Sequence, residues 1–185
     1  MKMNIAAKSR IIGNIGQLTA SGVCLALCMV LPFLTGQVPK VGNALSPMHI
    51  PVLICGFVAG PFYAAIVGFI APLLRFPLFG SPPIMPTGVA MCFELAVYGF
   101  VAGMLHKTLP KRHEQVYVAL VAAMLAGRIV WGIARWALSG VTGVAFTLNL
   151  FMAGAFVNAV PGIVLHIAFI PPIVIALKKA GFVAQ

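Results

Sequence analysis

Residues 43–86 read NALSPMHIPVLICGFVAGPFYAAIVGFIAPLLRFPLFGSPPIMP. Two short apolar runs meet at Gly60-Pro61, and each outer end carries a polar group, His49 on one arm and Arg75 on the other. Pro-rich loops, residues 38–47 and 77–86, lie beyond those ends. A soluble core does not tolerate so much apolar sequence with so few charges. The stretch reads as a helical hairpin dipping into a membrane, with its polar ends and both loops on one side, where a binding site is expected. Each arm is short against the ~20 residues that a span needs. A single kinked helix over residues 48–74 is therefore the alternative.

The rest of the chain supports a membrane setting. It has 185 residues, 62% hydrophobic and 8% charged, with a mean hydropathy of +1.09. Repeated apolar stretches of spanning length predict an all-α polytopic membrane protein, a single integral membrane domain over residues 1–185. Spans are expected at about 11–34, 48–60, 62–76, 87–106, 116–138 and 148–177. The first run follows Lys2, Lys8 and Arg10, but it is long and lacks an A-x-A-type exit, so it reads as a first span and not a cleavable signal.

Charge placement decides between five spans and six. With six transmembrane helices and cytoplasmic N- and C-termini, the inner side holds Lys2, Lys8, Arg10, Lys107, Lys111, Arg112, Lys178 and Lys179. The outer side then holds Lys40 and Arg75, as the positive-inside rule prefers. The net charge of +10 fits basic loops beside anionic membrane lipid, with no nucleic acid as partner.

Four cysteines, Cys24, Cys28, Cys55 and Cys92, sit inside apolar runs without a C-x-x-C, and read as small packing residues. In the first span Ala20, Cys24 and Cys28 form one small-residue stripe and Gly22 and Ala26 another. Such stripes allow close helix approach in lipid, either inside the bundle or against a partner. The pentapeptide GFVAG occurs twice, at residues 56–60 and 99–103, each time with GxxxG spacing; chance and packing account for it.

Ionisable groups inside spans need partners or a wet cavity. Here these are Glu94 in the fourth span and Arg128 and Arg135 in the fifth, with Arg75 at the end of the third. Arg128, Trp131 and Arg135 share one helical face at i, i+3 and i+7. His49 begins the second span, and Asn158 lies in the outer half of the sixth. All these groups fall in the outer half of the bilayer. One acid against up to three arginines leaves a positive excess, which suits a small carboxylate-bearing ligand. Arg128 is expected to bind the anion, with Glu94 orienting it and Arg135 contributing less, although Glu94 has Arg75, Arg128 and Arg135 as candidate partners. The bland alternative pairs Glu94 with one Arg and lets the others snorkel to the surface. His106, His113 and Glu114 read as solvated inner surface, and His166 as a hydrogen-bonded packing histidine. No G-x-x-x-x-G-K-[ST], H-E-x-x-H or G-x-S-x-G occurs, so neither ATP hydrolysis nor enzyme chemistry is expected of this chain.

Residues 18–32 (LTASGVCLALCMVLP) and 48–61 (MHIPVLICGFVAGP), with six spans and inward termini, resemble the substrate-binding S component of an energy-coupling factor (ECF) vitamin transporter. The resemblance implies a bacterial cell membrane location and a vitamin or related micronutrient bound near the outer surface. It also implies partnership with a transmembrane coupling protein and two ATPase subunits that use ATP, with no cofactor in this chain. It places the ligand among the loop between spans one and two, the loop after span three, and the helices bearing Glu94, Arg128 and Asn158. It assigns docking on the coupling protein to small residues of the first helix, here Ala20, Cys24 and Cys28. Met48-His49-Ile50-Pro51 also resembles the start of nickel and cobalt S components, but the motif is internal and has no free amine, so no metal is expected. Pantothenate, with its carboxylate, hydroxyls and amide, is the preferred vitamin. The rival readings are an autonomous secondary transporter or channel for a small organic anion, and a membrane scaffold.

Overall fold

The computed structural model describes residues 5–35, 45–110, 114–143 and 145–182. Residues 36–44 of the first loop, with Lys40, lie outside the described residues, as do Lys2, Lys111, Arg112 and His113.

Among the described residues, seven α-helical pieces make six passages. They are α1 (Ile5–Val30), α2 (His49–Val58), α3 (Pro61–Phe79), α4 (Val89–Thr108), α5 (Glu114–Thr142), α6 (Leu148–Met152) and α7 (Val160–Lys179). A 3-10 turn, Leu31–Thr35, continues α1. A kinked turn, Ile84–Gly88, in which Met85 is extended, leads into α4, and a π-helical turn, Ala153–Val157, joins α6 towards α7. Five of the passages are long and apolar enough to cross a membrane. Phe62, Ile66, Phe69 and Leu73 are exposed along one stripe of α3, as expected for a face against lipid chains. Lys107 and Lys178–Lys179 stand in the last turns of α4 and α7, where cations also complement the helix dipole.

The hairpin is real, and Gly60 makes it. Its φ of 91° lies in a region that glycine alone visits freely, and Pro61 opens the next helix at a position where no N–H is needed. Beyond the turn, Pro61, Ala64 and Gly68 lie against Gly103, Gly99 and Leu95, so α3 runs antiparallel to α4. Before it, Gly56 lies against Gly99 and Gly103 while His49 packs on Tyr98, so α2 runs parallel to α4. This excludes the single kinked helix. The two GFVAG copies pack against each other: a Cβ on Gly56 would sit 2.7 Å from the Gly99 carbonyl oxygen, and one on Gly103 would sit 2.6 Å from the Pro61 nitrogen. The packing half of that reading is thus borne out, as close backbone approach between the two copies.

The second passage is shorter than expected. With 10 residues, α2 is about 15 Å long at ~1.5 Å per residue, half a bilayer. Its first residue therefore lies at mid-depth, reached by the non-helical residues 46–48. Such backbone is tolerated in a membrane only where protein covers it. Ser46, Pro47 and Met48 are buried, and the Ser46 carbonyl accepts a hydrogen bond from the His49 N–H at 3.0 Å.

Candidate functional site

At the outer end of the bundle lies a cavity of about 410 Å³, within the size range of small-molecule sites. One wall is the outer half of α5, which presents Trp131, Arg135, Ser139 and Thr142. The kinked turn supplies Pro86 and Thr87 on one side, and the π turn supplies Ala153 and Gly154 on the other. π turns often border functional sites. Phe146 and Leu150 close the outer rim, and Asn158 lines the cavity just beyond the π turn. Thr147 caps α6 by accepting a hydrogen bond from the Leu150 N–H, which starts that helix at the rim. The Trp131 ring needs Gly154 opposite it, since a Cβ there would lie 2.8 Å from the indole.

Arg135 is the cation of this cavity. Its guanidinium lies 5.9 Å from the Trp131 ring centre and 5.4 Å from that of Phe146, and it donates to the Thr87 hydroxyl at 3.5 Å. Among the described residues no carboxylate forms an ion pair with it. Its Nε is buried without an acceptor. Aromatic faces hold the planar group in position without neutralising its charge.

A second polar layer lies one to two helical turns deeper. Glu94, 1% exposed, meets the Arg128 guanidinium at 3.1 Å and the His49 imidazole at 3.6 Å. Tyr98, one turn below Glu94 on α4, packs edge-on against His49. His166 stacks on His49 at 6.0 Å and lies 3.4 Å from the Ser46 carbonyl, which bears out its reading as a packing histidine. Gly127 leaves room for the Tyr98 ring, which any larger residue would strike. Helices α2, α4 and α5 thus meet around one carboxylate, and α7 packs on His49 behind it. The open question of Glu94's arginine is answered by Arg128, and Arg128 is thereby an ion-pair member and not a lining group.

The remaining expectations divide. Trp131, Arg135 and Asn158 are brought together in the cavity; His49, Glu94 and Arg128 are brought together beneath it. Arg75 belongs to neither and is a correction. It donates to the Met29 carbonyl at 2.8 Å, between the rings of Phe33 at 5.6 Å and Phe79 at 5.0 Å. The last carbonyls of α1 have no partner within the helix, and a guanidinium satisfies one of them and the dipole together. The docking stripe is also corrected. Cys24 and Cys28 are buried and Ala20 packs on the core, with the Cys28 thiol 3.6 Å from the Met48 carbonyl. The exposed face of α1 is the other one: a Cβ added at Gly13, Gly16 or Gly22 would meet nothing within 4 Å, and Thr19 and Ala26 are exposed, as are Ile15, Val23 and Val30. His106 is not solvated surface either. It is buried, packs against Phe57, and its carbonyl accepts from Gln115 at 2.6 Å.

Several site residues carry no expectation from sequence. Tyr98 sits four residues after Glu94, a spacing that places it on the same face. Ser139 and Thr142 continue the face of Arg135 at i+4 and i+7, and that signal was available. Thr87 and Phe146 come from turns, where spacing gives no direction.

Comparison with curated proteins and with solved structures yields no match. A family model described as ECF transporter, substrate-specific component, matches residues 16–177, nearly the whole chain. A multi-pass helical membrane protein with a small-molecule cavity near one end agrees with that match, and the chain belongs to the substrate-specific components of ECF transporters, transport subunits of the bacterial membrane that associate with coupling and ATPase modules.

Proposed function

We propose that this subunit captures a small water-soluble vitamin bearing one carboxylate, and that Arg135 anchors it. The observation that carries the reading is a guanidinium that faces a 410 Å³ cavity with no carboxylate of its own. Arg binds a carboxylate through two parallel N–H donors, and the aromatic pair around Arg135 keeps that edge presented. Thr87, Ser139, Thr142 and Asn158 add hydroxyl and amide groups around it. Pantothenate matches this set, with its carboxylate on Arg135 and its hydroxyls and amide on the neutral groups. Arg128 takes a supporting place below, because Glu94 already occupies it.

The exposed face of α1, with Gly16, Thr19, Gly22 and Ala26, is the surface proposed for docking on the coupling protein, whose two ATPase partners use the ATP. The Thr19 hydroxyl bonds back to the Ile15 carbonyl at 2.9 Å, and Ile15, Val23 and Val30 stand exposed beside it, so the surface is apolar. In lipid, such surfaces gain dispersion contact by close approach.

Mass spectrometry of ligand released from gently solubilised protein tests the substrate, together with calorimetry of the purified chain against pantothenate. Binding that disappears in Arg135→Ala supports the reading. Tight binding of a neutral or cationic vitamin, or of pantothenate unaffected by Arg135→Ala, overturns it.

A further inference from the structure

Arg128 and Arg135 lie seven residues apart on one face of α5, about 10 Å along its axis at ~1.5 Å per residue. Both guanidiniums keep their charge in any protein environment. Only the deeper one has a carboxylate partner. We infer that Glu94 is a specificity-determining residue: by neutralising Arg128 from beneath, it leaves the site one uncompensated cation and so selects ligands with a single negative charge. This inference rests on the carboxylate reading at Arg135.

The geometry makes the pair a fixed one. Glu94 is buried between His49 of α2 and Arg128 of α5, so its carboxylate has no open space into which to swing aside for a ligand. Arg128 keeps 11% of its side-chain surface, and its Nε is buried without an acceptor. A ligand's second anionic group reaching that guanidinium would meet the Glu94 carboxylate a few ångströms behind it. Repulsion from one then offsets attraction to the other, while the second charge still loses its water. The other polar groups facing the pair are His49 from α2, Tyr98 from α4 and His166 from α7. None of these adds a carboxylate. A dianion therefore gains nothing over a monoanion here, and loses hydration.

Glu94→Gln keeps the shape of the side chain and removes its charge. Arg128 is then a buried cation without a counter-charge, and an anion entering from the outer cavity can supply one. Two probes read this out. The first is inorganic phosphate, titrated at fixed ionic strength while thermal unfolding of the purified protein is followed. A phosphate-dependent rise in midpoint is expected in Glu94→Gln and not in the parent. The second is a pair of ligands, pantothenate and its phosphorylated form. The parent should prefer the monoanion by about tenfold or more, and Glu94→Gln should lose or invert that preference. The double variant Glu94→Gln/Arg128→Gln carries neither charge and should behave like the parent towards both probes, so it also serves if the single variant does not fold. If Glu94→Gln answers phosphate as the parent does, or the double variant accepts the dianion, Glu94 does not set charge selectivity. If the parent binds neither ligand, the pantothenate reading falls, and the phosphate titration still decides the role of Glu94.

Discussion

Arg128 meets the Glu94 carboxylate at 3.1 Å, while Arg135, seven residues nearer the outer end of α5, meets two rings, a hydroxyl and an open cavity. Residue type, helix and face are the same. What differs is the company, and company decides function. The inner layer is closed: three helices converge on one acid, a fourth packs on its histidine, and its groups serve one another. The outer layer is built from a kinked turn, a π turn and a loop, leaves its cation uncompensated, and has room for a ligand. A polar group inside a membrane is thus either spent on structure or kept for binding, and depth along α5 separates the two.

The most severe test of that contrast is to remove each arginine in turn. Arg128→Met leaves Glu94 buried and unpaired and should destabilise the fold by about 3–5 kcal/mol, measured by unfolding in detergent. Arg135→Met should cost under about 1 kcal/mol in the same assay, yet weaken carboxylate binding by roughly 1.5–3 kcal/mol in calorimetry. Equal stability losses would erase the distinction between the layers.

A smaller effect is expected from loosening the support of the inner layer without touching its charges. Gly56→Val pushes α2 away from the Gly99 and Gly103 backbone and shifts His49 against Glu94. It should cost about 1–3 kcal/mol, as overpacking does. Gly103→Val acts on the same crossing, so the two together should cost less than their sum. Additive losses would mean that the two GFVAG copies do not act as one contact.

Arg75 sharpens the comparison from outside it. Arg75→Leu should cost about 1–2 kcal/mol, since the Met29 carbonyl loses its partner. Ligand affinity should stay at the parent value. A tenfold fall in affinity would return Arg75 to the site.

Much of this was legible in the sequence, and the losses have physical causes. Hydropathy and loop charge were enough for six passages, because the bilayer imposes length and the positive-inside bias imposes sides. Spacing placed Arg128, Trp131 and Arg135 on one face correctly. It did not show that α2 stops at half depth, because residues 45–48 are as apolar as the helix they precede except at Ser46. Glu94 had three candidate arginines, and helix rise gives depth but not rotation about the axis. Arg75 was misplaced because its partner is a backbone carbonyl of α1, and a carbonyl has no sequence signature. The GFVAG repeat was visible, but that its copies touch follows only from α2 and α4 running parallel.

On α1 the contrast between occupied and open groups recurs, at the smallest expected cost. Two small-residue stripes were visible in this helix, and sequence could not say which one faces the bundle. Burial says it: Cys24 and Cys28 are covered by the core, while Gly22 has nothing within 4 Å of where a Cβ would stand. Cys24→Trp should therefore force the core apart at about 1–3 kcal/mol. Gly22→Trp should leave unfolding within about 0.5 kcal/mol of the parent, because its ring enters lipid or detergent. Ligand binding in detergent should also persist. In the reconstituted complex, however, a bulky ring on a face that must approach another helix closely holds the two apart, and ATP-driven uptake should be lost. Uptake that survives Gly22→Trp would show that this face meets only lipid. Binding and uptake lost together would show that the substitution reaches the cavity through the fold. Loss of uptake alone, with stability and binding intact, is the result that assigns this face to the partner.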